Sequence, residues 1–298
     1  MKIGTRGSQL ARWQAEWVRE RLAPAGARAE VVVITTRGDA EVDRPLHELE
    51  GTGFFTKEIE DALLDGRIDV AVHSLKDLPT TLPPGLAIGA VPVRHDPREA
   101  LVRGASLLDL APGTRVGTSS LRRIAQIRFL RPDLAVVPLR GNVPTRVRKT
   151  ETGDGLDVAV LAIAGLERLG LGAKASLIDP FDVMPAPGQG ALGIEIRADD
   201  ATTRDALQAV HDAASAAAVH AERTLLAALG GGCQAPIAAW VETRQQGAGS
   251  RLYGRVTAQD GSVQLTASAD LDQERPDAAG DAVARLLEGE GAATLLAR

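Results

Sequence analysis

Short apolar runs, each ending in a polar turn that opens a helix, recur through the first two thirds of the chain and constrain the fold more than any other feature. Residues 2–5 read as a strand running into Arg6-Gly7-Ser8, and a helix follows over 9–22 with apolar Leu10, Trp13, Trp17 and Val18 in helical period. Strand, tight turn and helix make the opening of a βα unit. The helix N-terminus, with Arg6 and Ser8 beside it, then points at whatever binds above the strand ends. Residues 31–35 are a second, β-branched strand. Residues 36–53 are polar and Gly-containing, long enough for a mobile lid; Phe54 and Phe55 follow, then a helix over 56–64. Residues 68–72 read as a buried strand ending in His73-Ser74-Leu75-Lys76-Asp77-Leu78-Pro79. Ionisable groups at the carboxyl end of a strand lie where open α/β sheets bind ligands. Residues 86–91 and 100–102 read as crossover strands out of this first domain. The logic then repeats: strand 114–117, helix 121–130, strand 135–138, the turn Leu139-Arg140-Gly141-Asn142, a helix bearing Arg146 and Arg148, strand 157–161 and a helix through Arg168. Two α/β units facing one another across a cleft are expected.

Residues 115–149 narrow the chemistry. They hold nine basic residues (Arg115, Arg122, Arg123, Arg128, Arg131, Arg140, Arg146, Arg148 and Lys149) and one acid, Asp133. The whole chain has 34 Lys and Arg against 39 Asp and Glu, so a segment of net charge +8 sits in a remainder of −13. Such contrast asks for an anionic partner held at one place. Gly117-Thr118-Ser119-Ser120 precede the helix, offering backbone N–H groups and hydroxyls at its N-terminus as an anion cradle. Arg122 and Arg123 lie in the first turn, where a cation opposes the helix dipole; an anion between them resolves that conflict. Arginine supplies 29 of the 34 basic residues, and its planar fork suits bidentate carboxylate or phosphate recognition. No nucleic-acid partner is expected, because a net charge of −5 and 3% aromatic residues leave neither a general phosphate-tracking surface nor a stacking platform.

The segment Pro185-Ala186-Pro187-Gly188-Gln189-Gly190 reads as a hinge before a strand to Ile196. After Asp199, Ala-rich helices run to about Ala228, and strands near 237–241, 252–256 and 263–267 precede a helix over 278–287. That is a small α+β domain. Cys233 is the single cysteine, which excludes an internal disulfide and any CxxC site. Three glycines precede it, so the thiol reads as an accessible nucleophile or attachment point. The five histidines lack ligand spacing, and no metal is expected. No apolar signal segment and no run of 18 apolar residues are found, so a cytoplasmic protein with no membrane partner is expected.

Seven segments, IGTRGSQLARWQA (3–15), VAVHSLKDLPT (70–80), VGTSSLRRIAQI (116–127), LRGNVPTR (139–146), AGLERLGL (164–171), PAPGQGALGIE (185–195) and GGCQAPIAA (231–239), resemble the porphobilinogen deaminases, or hydroxymethylbilane synthases, in order and spacing. The resemblance spans almost the whole chain. It implies two lobes like those of type II periplasmic binding proteins, 1–93 with 190–210 and 97–185, and a third domain, 212–298, that carries the cysteine. The implied reaction joins four porphobilinogens head to tail with loss of four ammonia molecules and hydrolysis to hydroxymethylbilane. The implied cofactor is a dipyrromethane primer in thioether linkage to Cys233. Asp77 matches the catalytic carboxylate. Ser74, Lys76, Thr118, Ser119, Ser120, Arg122, Arg123 and Arg140 match cofactor-binding positions. Arg6, Ser8, Gln14, Phe55, Arg140, Arg146, Arg168 and Gln189 match substrate-binding positions. The family also implies a monomer. Two departures stand out: Thr52 where many relatives carry Lys, and Pro144 at the start of the helix after Asn142.

Overall fold

The computed structural model describes residues 1–26, 28–36, 56–232, 235–243 and 249–297. Most of the expected lid, with Thr52, Phe54 and Phe55, and the pair Cys233-Gln234 lie outside the described residues. The chain divides into two compact units, Met1–His95 with Ala191–Ala216, and Asp96–Gly190 with Ala217–Arg298.

The first unit is built on strands β1 (Lys2–Thr5), β2 (Glu30–Val33), β3 (Val70–Ser74), β4 (Leu86–Ala90) and β10 (Leu192–Arg197), in the order β2-β1-β3-β10-β4. β1 runs parallel to β2 and β3, and β10 lies antiparallel between β3 and β4. Helix α1 (Gln9–Leu22) starts at Ser8, whose hydroxyl accepts from Ala11 N–H. It buries Ala15, Val18 and Leu22 against Ile3, Val70, Val72, Ile194 and Ile196; each large aliphatic side chain so buried contributes about 1.5–3 kcal/mol. Helix α2 (Lys57–Leu64) packs Ile59, Ala62 and Leu63 with Ile68, Ala71 and Leu86. The strand expected over 68–72 begins at Val70. Ile68 and Asp69 donate their N–H groups to Ala62 and Lys2 carbonyls instead, joining α2 to the sheet.

The second unit repeats this plan with β5 (Glu99–Val102), β6 (Arg115–Gly117), β7 (Ala135–Val137), β8 (Val158–Ala162) and β9 (Ala175–Leu177), ordered β7-β6-β8-β5-β9. β6 is parallel to β7 and β8, and β5 is antiparallel to β8 and β9. Residues 100–102, expected as a crossover out of the first domain, are therefore a full member of the second sheet. Ala100, Leu101 and Val102 are buried, which explains their uninterrupted apolar run. Helices α3 (Leu121–Leu130), α4 (Val143–Thr152) and α5 (Ile163–Arg168) follow β6, β7 and β8. Helix α6 (Ala201–Leu207) belongs to the first unit, and α7 (Ala213–Ala228) carries the chain into the second.

The three strands expected in the tail are β11 (Ile237–Thr243), β12 (Ser250–Thr257) and β13 (Gln264–Leu271), paired antiparallel and followed by α8 (Pro276–Gly289) and α9 (Ala292–Leu296). Leu225, Ile237, Leu252, Val256, Val283 and Leu287 share its core. Arg255 ties β12 to the rest of the unit by donating to Gln126 Oε1 at 3.0 Å and Phe181 O at 2.9 Å. Burial lowers its pKa to about 10. Among the described residues, no helix is long and apolar enough to cross a membrane.

Candidate active site

In the first unit β3 runs straight into a single 3₁₀ turn, Leu75–Asp77. Ladder pairing continues past the strand end, since Leu75 N–H donates to Ala191 O at 3.0 Å. Leu75 and Leu78 anchor the turn in the core, Ser74 and Lys76 are half-buried, and Asp77 is exposed. Gly193 of β10 passes so close that a Cβ there would lie 2.6 Å from Leu75 Cδ1, so a larger residue would force that leucine to shift. Gln14, matched above to a substrate-binding position, is 2% exposed and donates Nε2 to Ser74 Oγ at 2.8 Å. In this position the amide orients the Ser74 hydroxyl. Ser8 commits its hydroxyl to the α1 cap, and Arg6 sits half-buried just past the end of β1.

Three ionisable side chains described in the first unit are buried, and of these the sequence reading named only His73. His73 Nε2 stands 3.2 Å from Glu195 Oε2, and Glu60 is also buried. Burial pushes the Glu60 carboxyl above its ordinary 4.5, and the charge of Glu195 adds to the rise. A carboxyl raised in the folded state contributes stability that is present below the ordinary value and lost as pH climbs through the raised one. Glu60→Gln is therefore expected to raise Tm more at about pH 7.5 than at about pH 4.5. Equal changes at the two values, read by differential scanning calorimetry, would refute this account.

In the second unit the turn after β6 closes on the loop after β7. Thr118 is buried and its N–H donates to Val137 O at 2.9 Å. The Ser119 hydroxyl donates to Leu139 O at 3.1 Å and accepts from Leu139 N–H at 3.0 Å, so it braces the loop that presents Arg140. Ser120 begins α3 without a side-chain cap bond. The first-turn N–H groups of α3 thus retain capacity for an outside acceptor, as the anion cradle requires. Gly141 adopts φ +113°, Asn142 caps α4 by accepting from Thr145 N–H at 2.9 Å, and Arg146 donates Nε to Gly141 O at 2.7 Å. Pro144 falls in the first turn of α4, where its missing N–H costs nothing.

Arg122 and Arg123 are each 5% exposed and share one carboxylate that sequence reasoning missed, Glu99 of β5. Its Oε1 accepts from Arg122 Nη2 at 2.6 Å and Arg123 Nε at 2.9 Å, and its Oε2 accepts from Arg123 Nη2 at 2.7 Å. Arg168 is buried on α5 and donates to Gly190 O at 2.7 Å, with its pKa lowered by burial to about 10. Gln189, also matched to a substrate-binding position, is wholly buried and donates Nε2 to Pro97 O at 2.7 Å. Glu222 of α7, fully buried, accepts from Gly188 N–H at 2.7 Å and Val241 N–H at 2.9 Å. Only Glu195, between Ile194 and Ile196, carried a sequence signal as an acid in an apolar run; Glu99 and Glu222 stand beside Arg98 and Arg223 and read as ordinary polar positions. No group of His, Cys, Asp and Glu able to hold a metal occurs among the described residues.

Residues 1–205 match the family model described as porphobilinogen deaminase, dipyrromethane cofactor binding domain, and residues 216–289 match the C-terminal domain of the same family. The porphobilinogen deaminase of Moorella thermoacetica is 48% identical over 99% of this chain and 95% of its own length. That of Syntrophotalea carbinolica is 47% identical over 100% and 95%. Among solved structures, the methionine-binding protein MetQ matches with TM-score 0.43 and 14% identity, over 70% of this chain and 89% of that one. Two family models that together span nearly the whole sequence, and relatives near half identity along their full length, establish that the chain belongs to the porphobilinogen deaminase family.

Proposed function

We propose that this chain runs the reaction of its family, the head-to-tail condensation of four porphobilinogens with release of four ammonia molecules, with Asp77 as the catalytic carboxylate. The observation that carries the assignment is an acid exposed in the turn that ends a core strand, flanked by Ser74 and Lys76. Loss of ammonia breaks a carbon–nitrogen bond and leaves a cation delocalised onto the pyrrole nitrogen. A carboxylate facing that N–H stabilises the developing charge and takes up the proton shed after carbon–carbon bond formation. A site rich in arginine disfavours a cation, so one well-placed acid is needed.

Every porphobilinogen carries an acetate and a propionate, so the growing chain is a polycarboxylate. Arg6, Arg122, Arg123, Arg140, Arg146 and Arg168 are assigned to those side chains, with Ser8, Thr118, Ser119, Ser120 and Phe55 in support. The dipyrromethane primer, in thioether linkage to Cys233, supplies the acceptor pyrrole when bound. The donors around α3 suit such a group: a helix N-terminus lacking a side-chain cap beside two guanidiniums that outnumber their one carboxylate. In this reading residues 1–93 with 190–210, residues 97–185 and residues 212–298 are three functional parts of a cytoplasmic monomer. The test is the denatured intact mass. Purified protein is expected to exceed its sequence mass by one dipyrromethane, and Cys233→Ser to abolish the excess. Unmodified protein that gains no mass after incubation with porphobilinogen would refute the assignment.

A further inference from the structure

Glu99 holds two arginines, Arg122 and Arg123, with a single carboxylate. It stands at the start of β5 with its side chain wholly buried. Three charge-assisted bonds fix both guanidinium planes against it. Two backbone carbonyls complete the clamp: Arg122 Nη1 donates to Met184 O at 2.6 Å, and Arg123 Nη1 to Val160 O at 3.0 Å. A guanidinium has five N–H donors, so both forks keep donors beyond these bonds. The three charges sum to +1 at sites nearly closed to water. Burial, together with repulsion from Arg123, lowers the Arg122 pKa. A surplus buried cation is unfavourable alone and becomes favourable once an anion arrives.

We infer that Glu99 is a positioning residue that presets the Arg122 and Arg123 forks and leaves the pair one net positive charge for a single incoming carboxylate. This rests on the assignment of those arginines to the primer's acidic side chains. Without Glu99 the two cations repel, and a bound carboxylate becomes their main partner; loaded protein is then stabilised over primer-free protein by more than in the parent.

The experiment compares Tm for four proteins: the loaded parent, Cys233→Ser as its primer-free form, and each with Glu99→Gln. Glu99→Gln is expected to lower Tm in both forms and to widen the gap between them by at least about 4 °C. A gap in the parent pair that Glu99→Gln leaves unchanged overturns the role of Glu99 alone. No gap in the parent pair removes the arginine assignment, and this inference with it. Should Glu99→Gln fail to fold, Glu99→Asp keeps the charge but withdraws the carboxylate by one methylene. It is expected to retain the parent gap while kcat falls by about tenfold or more with KM changed less than twofold, the mark of misaligned forks. Native kcat in Glu99→Asp overturns the proposal.

Discussion

Asp77→Ala yields a folded protein that does not turn over. Asp77 is exposed, whereas the turn is held by buried Leu75 and Leu78 and by the bond from Leu75 N–H to Ala191 O. Truncating an exposed side chain while those anchors stay in place is expected to cost no more than about 1–2 kcal/mol. Catalysis is another matter, because proton transfer and charge stabilisation by a positioned carboxylate each contribute about 10²–10³-fold or more. Turnover is therefore expected to fall by at least about 10³-fold, while a thermal melt still shows one cooperative folded state. Asp77→Asn sharpens the result. The amide keeps shape and hydrogen bonding but neither charge nor basicity, and it is expected to be nearly as inactive. An Asp77→Asn enzyme within tenfold of the parent in kcat would show that the carboxylate's charge is not what the reaction uses.

Glu222→Ala strikes stability instead. One carboxylate serves two buried N–H groups, Gly188 in the segment before the second unit hands over to the first and Val241 in the C-terminal sheet. Removing it strands both donors away from water, at about 1–3 kcal/mol each. It also leaves a void in a close-packed region. The expected loss is about 3–5 kcal/mol, seen as a drop in Tm on the order of 10 °C in a thermal melt and as a lower urea midpoint. Glu222→Gln retains one acceptor and should lose roughly half as much. A Glu222→Ala protein with an unchanged midpoint would mean that other acceptors take over both N–H groups.

Much of the fold was legible because local signals agreed. The period of Leu10, Trp13, Trp17 and Val18, with Ser8 before it, gave α1 its observed bounds, and the Gly-Thr-Ser-Ser turn gave α3 its start. The antiparallel strands were harder. β5 and β10 are apolar runs like their parallel neighbours, and no local pattern says which sheet a strand joins. At the site, charge patterning found the arginines but not what holds them. Glu99 lies 23 residues before Arg122 in the chain, and only β5 pairing with β8 brings it beneath α3. Gln14 and Gln189, both in family motifs, donate their amides to Ser74 Oγ and Pro97 O, contacts that no local pattern announces.

The place of β10 also has a cost in time. β3 and β4 leave the ribosome about a hundred residues before Leu192, yet β10 is the strand that joins them. At a synthesis rate of about 5–20 residues per second, the nascent first unit waits roughly 5–20 s with two facing strand edges unpaired. During that interval it presents an open template to any stray strand. The half-made sheet is therefore expected to be more prone to aggregate than the finished protein.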